Sequence, residues 1–332
     1  QWVDHKTQEF ISLIDVLKRN TSAKVLLHNF EIPLHSPLGI LEHKQPFGFK
    51  ESIETLNFKL RDTFKNDSQV FVFDFDAFCA KVGKQNLLDH KMYYLGDIKL
   101  HVRHIPELCR EYLSFIKSMM AMAKKCIVLD LDNTLWGGIV GEDGMEGIKL
   151  GPTPEGRPFW EFQKYLFSLF QRGVILAINS KNNVEDALRV LREHPYAVLK
   201  EEHFAAMRIN WEDKIANTRS LAEEMHIGLD SFVFFDDDKV NRELVSVALP
   251  EVTVVDLPQD PALYVKTLME LDEFHILQLT GEDRERGKMY AQDRQRKMLS
   301  ETATDLTEYF RGLQMVVIIE RASHLTIARI SQ

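Results

Sequence analysis

Short apolar segments that end in carboxylates, hydroxyls or amides alternate along this chain with amphipathic segments. The clearest are CIVLDLD at 126–132, VILAINS at 174–180 and FVFFDDD at 232–238. Apolar runs of this length are typical of buried strands, and the intervening segments have helical spacing, so the pattern predicts an α/β fold with a mostly parallel sheet. Because open α/β sheets bind ligands at the carboxyl ends of their strands, we expect a functional site at that edge.

The composition excludes several classes of protein. Of the 332 residues, 45% are hydrophobic and 27% are charged, which is typical of a globular protein rather than a disordered or collagen-like one. The net charge is −9 and there is no basic stripe, so we expect neither nucleic acid nor an anionic membrane as a partner. No apolar run approaches the roughly 20 residues of a membrane helix. The three cysteines form no disulfide pattern, and no secretory signal precedes them, so we expect a reducing, cytoplasmic compartment.

The pattern predicts two domains and the start of a third region. A Lys-Lys pair at 124–125 marks the first boundary, which gives an N-terminal α/β domain at 1–122, a catalytic domain at 123–312 and a truncated region at 313–332. Since the chain starts without Met and stops inside an amphipathic pattern, we expect a piece of a longer polypeptide. The predicted strands are 23–30, 69–76, 125–131, 174–179, 231–235, 252–255 and 314–320. The predicted helices are 49–66, 105–122, 155–171, 184–193, 211–225, 240–248 and 282–299.

The segment at 126–134 carries the strongest chemical signal. Asp130 and Asp132 end an apolar strand, and strand alternation places them on the same side. Burying two unpaired carboxylates is costly, and a cation relieves that cost. Hard oxygen ligands at a site with an open coordination position suit Mg²⁺.

Three further signals follow in chain order. The next strand ends in Ser180, Lys181 and Asn182; Lys214 opens a later helix; and another strand ends in the acids 236–238. Each has a plain structural alternative: Ser180 and the acids as helix caps, and Lys214 as a solvated lysine. Their joint order favours a catalytic site over these alternatives.

This order resembles the haloacid dehalogenase superfamily of phosphotransferases. The resemblance implies that Asp130 attacks phosphorus and that Asp132 acts as general acid and then general base, with Thr134 orienting the site. It implies that Ser180 and Lys214 hold the phosphoryl oxygens. Magnesium is expected on Asp130, the main-chain carbonyl of Asp132, Asp237 and Asp236. A second Asp-x-Asp pair, at 74–76, has no following Thr and is interpreted as structural.

A narrower resemblance extends over most of the chain. The segments DLDNTLWGGIVGEDG, RGVILAINSKNN, NWEDK, GLDSFVFFDDD and LTGEDRERGKMY are similar to the FkbH-like proteins of polyketide synthases. The resemblance implies a Rossmann-like catalytic core, preceded by a smaller, non-catalytic SGNH-hydrolase-like domain. The glycine-rich segment GGIVGEDG predicts a short hairpin flap on that core. It implies a glyceryl transferase/phosphatase that takes D-1,3-bisphosphoglycerate, acylates an acyl carrier protein thiol on its phosphopantetheine arm and removes phosphate. Neighbouring polyketide synthase domains are expected partners.

Other interpretations stay open. A plain Mg²⁺-dependent phosphatase acting on a small phosphoester or a phosphoprotein is the main alternative, and a non-catalytic docking domain is a third. Cys126 has the strand parity of Asp130 and is a candidate acyl carrier, although a buried core cysteine is the favoured interpretation. By position, Lys181, Asn182 and Arg157 are the candidate substrate-binding residues. The segment after Asp237 departs from the usual DDNPxER, because Asn241 stands in place of the glutamate.

Overall fold

The computed structural model describes residues 1–302, with side chains described through residue 297. The predicted strand at 314–320 and the predicted region 313–332 lie outside these residues. The chain divides into two compact units, of which the first is Gln1–Met120 and the second begins at Ala121. No helix among residues 1–302 combines the length and the apolar character needed to cross a membrane.

The first unit is built on two parallel strands, β1 and β2, which pair with Val25 opposite Val70. In chain order, its elements are α1 (Trp2–Asn20), β1 (Val25–His28), α2 (Phe49–Phe64), β2 (Val70–Phe73), α3 (Phe75–Val82), α4 (His90–Gly96) and α5 (Ile105–Met119). One apolar cluster joins α1, α2 and β2, and a second joins β2, α3 and α5. Helix α1 is absent from the sequence prediction because only three of its side chains, Val3, Thr7 and Ile14, are buried.

The polar groups after β1 and β2 satisfy one another. Asp74 accepts a hydrogen bond from the Ala77 amide at the start of α3 and another from the Asn29 side chain. Asp76 accepts from the Ile32 amide at 2.7 Å and pairs with Lys84 at 2.5 Å. This second Asp-x-Asp pair therefore stabilises loops of the first unit.

The second unit contains an open, all-parallel sheet of five strands in the order β5-β4-β3-β6-β7, which confirms the predicted α/β class. Its first elements are β3 (Cys126–Leu129), α6 (Val140–Gly147), α7 (Arg157–Gln171), β4 (Ile175–Ser180), α8 (Val184–Glu193) and β5 (Phe204–Ile209). They are followed by α9 (Lys214–Met225), β6 (Phe232–Phe235), α10 (Lys239–Ala248), β7 (Thr253–Val254), α11 (Tyr264–Met269) and α12 (Gly281–Thr302).

The central strand β3 determines where the functional residues meet. Its side chains alternate between two apolar layers: Ile127 and Leu129 lie in one, and Cys126 and Val128 in the other. Leu129 lies opposite Ile178 of β4 and Phe235 of β6. The residues that follow these three positions therefore emerge side by side at the carboxyl edge of the sheet.

Two local features differ from the sequence prediction. Strand β5, with the sequence FAAMRI, was not predicted, because a six-residue run with two alanines and an arginine gives little strand signal. The predicted flap is closed by one antiparallel pair, Gly137 with Lys149, but the segment inside it is the helix α6 rather than a simple hairpin. A side chain at Gly137 would meet the Phe159 ring, so the close approach of the flap to α7 requires glycine.

Candidate active site

Asp130 is the first residue after β3, and the sheet register places it beside Asp236 at the end of β6. Its amide donates to the Phe235 carbonyl at 2.9 Å, which extends the β3–β6 pairing by one step. Its Oδ1 lies 2.6 Å from Lys214 Nζ, and the same ammonium lies 2.7 Å from Asp236 Oδ2. The geometry thus brings together three residues that the sequence placed at separate strand and helix ends.

The Lys214 side chain is nearly inaccessible, with 5% of the residue exposed. Burial alone would lower the pKa of Lys214, but the attraction of Asp130 and Asp236 outweighs it and raises that pKa. The third ammonium contact is the Asn179 carbonyl at 2.9 Å. Lys214 therefore donates hydrogen bonds to Asp130 and to the Asn179 carbonyl and forms an ion pair with Asp236, so it is a fixed buried cation and not the solvated lysine of the structural alternative.

A network of two buried asparagines and one half-buried asparagine holds the main chain around Lys214. Asn179 is the second-last residue of β4 and donates from Nδ2 to the Lys214 carbonyl at 2.8 Å, and its Oδ1 accepts from Asn217 at 3.2 Å. Asn217 in turn donates to Asn210, which follows β5, at 2.9 Å. Sequence reasoning did not assign a role to these residues, although Asn179 and Asn210 both stand at strand ends, which was the available signal.

Asp132 is held by donors from three directions. Its Oδ1 accepts from the Trp136 indole at 2.7 Å and from the Val140 amide at 3.1 Å, and its Oδ2 accepts from Asn182 at 2.9 Å. Burial nevertheless raises the pKa of Asp132 above its usual value, because it outweighs these three hydrogen bonds. A fixed carboxyl with a raised pKa is suited to carry a proton to a leaving group.

Asp130, Asp236 and Asp237 form a three-carboxylate cluster in which one ligand oxygen from each lies within 4.8 Å of the others. Burial, followed by repulsion from Asp130 and Asp236, raises the pKa of Asp237 to about 6. Lys214 compensates only one of the three negative charges. A divalent cation that prefers hard oxygen ligands would compensate the other two. The Asp132 carboxylate is not in this cluster and is engaged by its three donors instead.

The remaining predicted residues differ in their surroundings. Thr134 is fully buried and its hydroxyl has no hydrogen-bond partner among the described residues. Ser180 is 1% exposed and does not cap α8, whose N-cap is Asn183. Lys181 is exposed, and Arg157 is an exposed residue whose side chain lies 3.9 Å from Glu161. The capping alternative holds only for Asp238, which accepts from the Val240 amide at the start of α10.

Cys126 lies four residues before Asp130, at the amino end of β3, so about 13 Å of strand separates the two residues. It is fully buried, and burial raises the pKa of its thiol far above the ordinary value. A nucleophilic thiol has to be accessible and ionisable near neutral pH. The predicted role of Cys126 as an acyl carrier therefore does not fit its position, whereas the core-cysteine interpretation does.

Two contacts fix the loops that carry these acids. Asn133 has a left-handed backbone conformation, with φ of 55°, and its carbonyl accepts from the Tyr264 hydroxyl at 3.0 Å. Asn241, the departure noted in the sequence, lies with its side-chain nitrogen 3.3 Å from Asp236 Oδ1. It therefore acts as a donor to an acid of the cluster and adds no further carboxylate.

Comparisons with known proteins agree with this architecture. Residues 3–117 match the family model described as FkbH, N-terminal domain. The chain is similar to the solved N-terminal part of the protein BF1531 from Bacteroides fragilis, which contains a phosphatase domain complexed with Mg. The sequences are 32% identical, the TM-score is 0.76, and the match covers 82% of this chain and 73% of the other. No curated protein matches the chain. The chain belongs to the FkbH-like family and contains a domain of the haloacid dehalogenase phosphatase type.

Proposed function

We propose that this chain is a Mg²⁺-dependent glyceryl transferase/phosphatase. Its substrates would be D-1,3-bisphosphoglycerate and the phosphopantetheine thiol of an acyl carrier protein. The observation that carries the phosphatase part is the cluster of Asp130, Asp236 and Asp237 around the buried Lys214. The FkbH-like sequence segments support the transferase part, which goes beyond the phosphatase class of the domain.

The metal ligands in this proposal are the three clustered carboxylates. Asp130, Asp236 and Asp237 supply oxygen ligands, and the main-chain carbonyl of Asp132 is the predicted fourth protein ligand. When bound, Mg²⁺ neutralises charge on the phosphoryl oxygens and fixes their position. The similar Bacteroides fragilis protein was solved in complex with Mg, which supports magnesium as the ion.

The protein residues divide the phosphatase chemistry between them. A carboxylate oxygen of Asp130 attacks phosphorus, and the bond to the leaving oxygen breaks to give an aspartyl-phosphate. Asp132 gives its proton to that oxygen and then takes a proton from the water that hydrolyses the aspartyl-phosphate. Lys214 and Ser180 stabilise the phosphoryl oxygens. Thr134 is the predicted orienting residue, and its buried hydroxyl makes no hydrogen bond to the described residues.

The transfer step needs no enzyme thiol. The carboxyl phosphate of 1,3-bisphosphoglycerate is an activated acyl group, so attack by the carrier thiol forms a thioester and releases inorganic phosphate. The remaining phosphate ester is the substrate for Asp130. Because Cys126 is buried at the other end of β3, direct transfer to the carrier fits the described residues better than an acyl-enzyme.

Intact-mass spectrometry of the carrier protein tests the proposal. The chain, Mg²⁺, 1,3-bisphosphoglycerate generated in situ and a phosphopantetheinylated carrier should give a glyceryl adduct without phosphate. With Asp130→Asn, the adduct should retain its phosphate, because transfer remains while hydrolysis is lost. If no adduct forms under any condition, the transferase part is wrong.

A plain Mg²⁺-dependent phosphatase is the second candidate. The observation in its favour is that the described site supplies the groups needed for phosphoryl transfer, namely the three clustered carboxylates and the buried Lys214. In that case, Mg²⁺-dependent phosphate release from a generic phosphoester appears without any carrier adduct. If the unmodified chain releases no phosphate from a phosphoester and forms no carrier adduct, both candidates fail and the docking-domain interpretation remains.

A further inference from the structure

Arg242 is a buried arginine that contacts the main chain of the metal-binding segment. It lies in the first turn of α10 and is 9% exposed. Its Nη1 donates to the Asp236 carbonyl at 2.9 Å and to the Asp237 carbonyl at 2.7 Å. Its Nη2 lies 3.3 Å from Asp256 Oδ1, a fully exposed carboxylate. The guanidinium thus contacts the main chain of two of the clustered acids and a carboxylate at the protein surface.

The segment at 236–239 has to change direction sharply, because β6 ends at Phe235 and α10 begins at Lys239. Two successive carbonyls point to one guanidinium nitrogen, which fixes both peptide planes in this turn. From the other side, the Asp238 amide donates to Asp236 Oδ1 at 2.9 Å. With the main chain held in this way, the side chains of Asp236 and Asp237 both reach the cluster with Asp130.

A lysine cannot reproduce this arrangement. The guanidinium presents several donors in a rigid planar fork, whereas an ammonium is a compact and strongly hydrated point charge on a flexible stem. Groups that orient metal ligands without touching the metal typically change metal affinity by about 10–100-fold when they are removed.

We propose that Arg242 is a positioning residue for the metal centre and sets Mg²⁺ affinity by holding the carbonyls of Asp236 and Asp237. The proposal rests on the proposed magnesium-dependent function. It does not place Arg242 in contact with the substrate or the metal. Its effect is expected in the dissociation constant for Mg²⁺ more than in the chemical step.

Calorimetric titration of the full chain with Mg²⁺ tests the proposal, with Arg242→Gln and Arg242→Lys as variants. Both should weaken Mg²⁺ binding by about tenfold or more. At saturating Mg²⁺, the kcat for phosphate release should return to within a few-fold of the unmodified chain. Arg172→Gln is the matched control, because Arg172 also donates to a main-chain carbonyl, that of Phe274 at 3.0 Å, but lies next to the start of β4 at the opposite edge. Its Mg²⁺ affinity should not change.

The possible failures are distinguishable. If the unmodified chain binds no Mg²⁺, the proposed metal-dependent function is wrong, and this proposal fails with it. If the unmodified chain binds Mg²⁺ and folded Arg242→Lys binds it equally well, the role of Arg242 alone is wrong. The unfolding midpoint in EDTA identifies folded variants, and Arg242→Lys provides the measurement if Arg242→Gln does not fold.

Discussion

Lys214 Nζ lies 2.6 Å from Asp130 Oδ1 and 2.7 Å from Asp236 Oδ2, so one buried ammonium bridges the ends of two neighbouring strands. The bridge holds two like charges side by side before any metal binds. Because Asp237 adds a further carboxylate to the same cluster, the bridge also leaves negative charge for a divalent cation to compensate.

Replacing Lys214 by Met should both inactivate and destabilise the protein. Removing one member of a buried ion pair leaves uncompensated charge and costs about 3 kcal/mol in free energy of unfolding. The loss should be largest in EDTA and partly reversed by Mg²⁺, which compensates the same carboxylates. Thermal melts with and without Mg²⁺ measure the loss of stability and its reversal by the metal, and a phosphate-release assay measures the loss of activity.

Lys266→Met is the control for that measurement. Lys266 is exposed and lies 3.9 Å from Glu270, the residue that caps the end of α11, and such surface pairs contribute less than about 1 kcal/mol. An equal loss of stability in both variants would contradict a special role for the Lys214 bridge.

Replacing Asp132 by Asn should reduce activity in a way that depends on the leaving group. The fixed Asp132 carboxyl is the proposed proton donor, and losing a general acid costs about 10²–10⁴-fold. An alkyl phosphate needs that proton, whereas p-nitrophenyl phosphate releases a stable anion without it. The ratio of kcat/KM values for the two substrates should therefore rise in favour of p-nitrophenyl phosphate. A uniform loss on both substrates would argue for a purely structural role of Asp132.

Replacing Cys126 by Ala should leave both phosphate release and carrier acylation intact. The thiol is fully buried at the amino end of β3, away from the acids. The expected cost is only about 1 kcal/mol of stability, from deleting one buried group of methylene size. Carrier mass spectra of the variant check this directly. Loss of the carrier adduct in a folded variant would restore the acyl-enzyme hypothesis.

The first unit should lose stability below about pH 6.5, the ordinary pKa of histidine. Burial lowers the pKa of His28, which stacks on Phe75 and contacts the Tyr112 hydroxyl at 2.8 Å. The folded unit therefore favours neutral His28, and the unfolded chain takes up the extra proton as the pH falls. The difference in unfolding midpoint between the unmodified chain and His28→Gln should shrink from pH 7.5 to pH 5.5. A constant difference over that range would exclude His28 as a source of the pH dependence.

The sequence predicted which residues gather at the carboxyl edge, because that prediction needs only the strand ends. Asp130, Asp236 and Lys214 meet as expected, and the parallel β3–β6 pairing explains why. The catalytic and metal-binding roles of these residues remain predictions.

The sequence did not predict contacts that depend on long-range packing. Two such contacts are that of Arg242 with the Asp236 carbonyl and that of the Trp136 indole with Asp132. They depend on how α10 and the flap pack against the sheet, and the spacing of apolar residues within one segment does not predict that packing. The flap was predicted as a hairpin because its four glycines suggested turns. In the structure, Val140 packs into the core and is the first residue of helix α6.

The hydrogen bond from the Tyr264 hydroxyl limits how far this domain can be shortened or transferred into another protein. Tyr264 lies in α11, beyond the last described strand of the sheet, yet it supports the loop between Asp130 and Thr134 through the Asn133 carbonyl. A version that ended after β7 would keep all three clustered carboxylates and Lys214 but lose this support. The smallest portable catalytic unit therefore extends at least through residue 264.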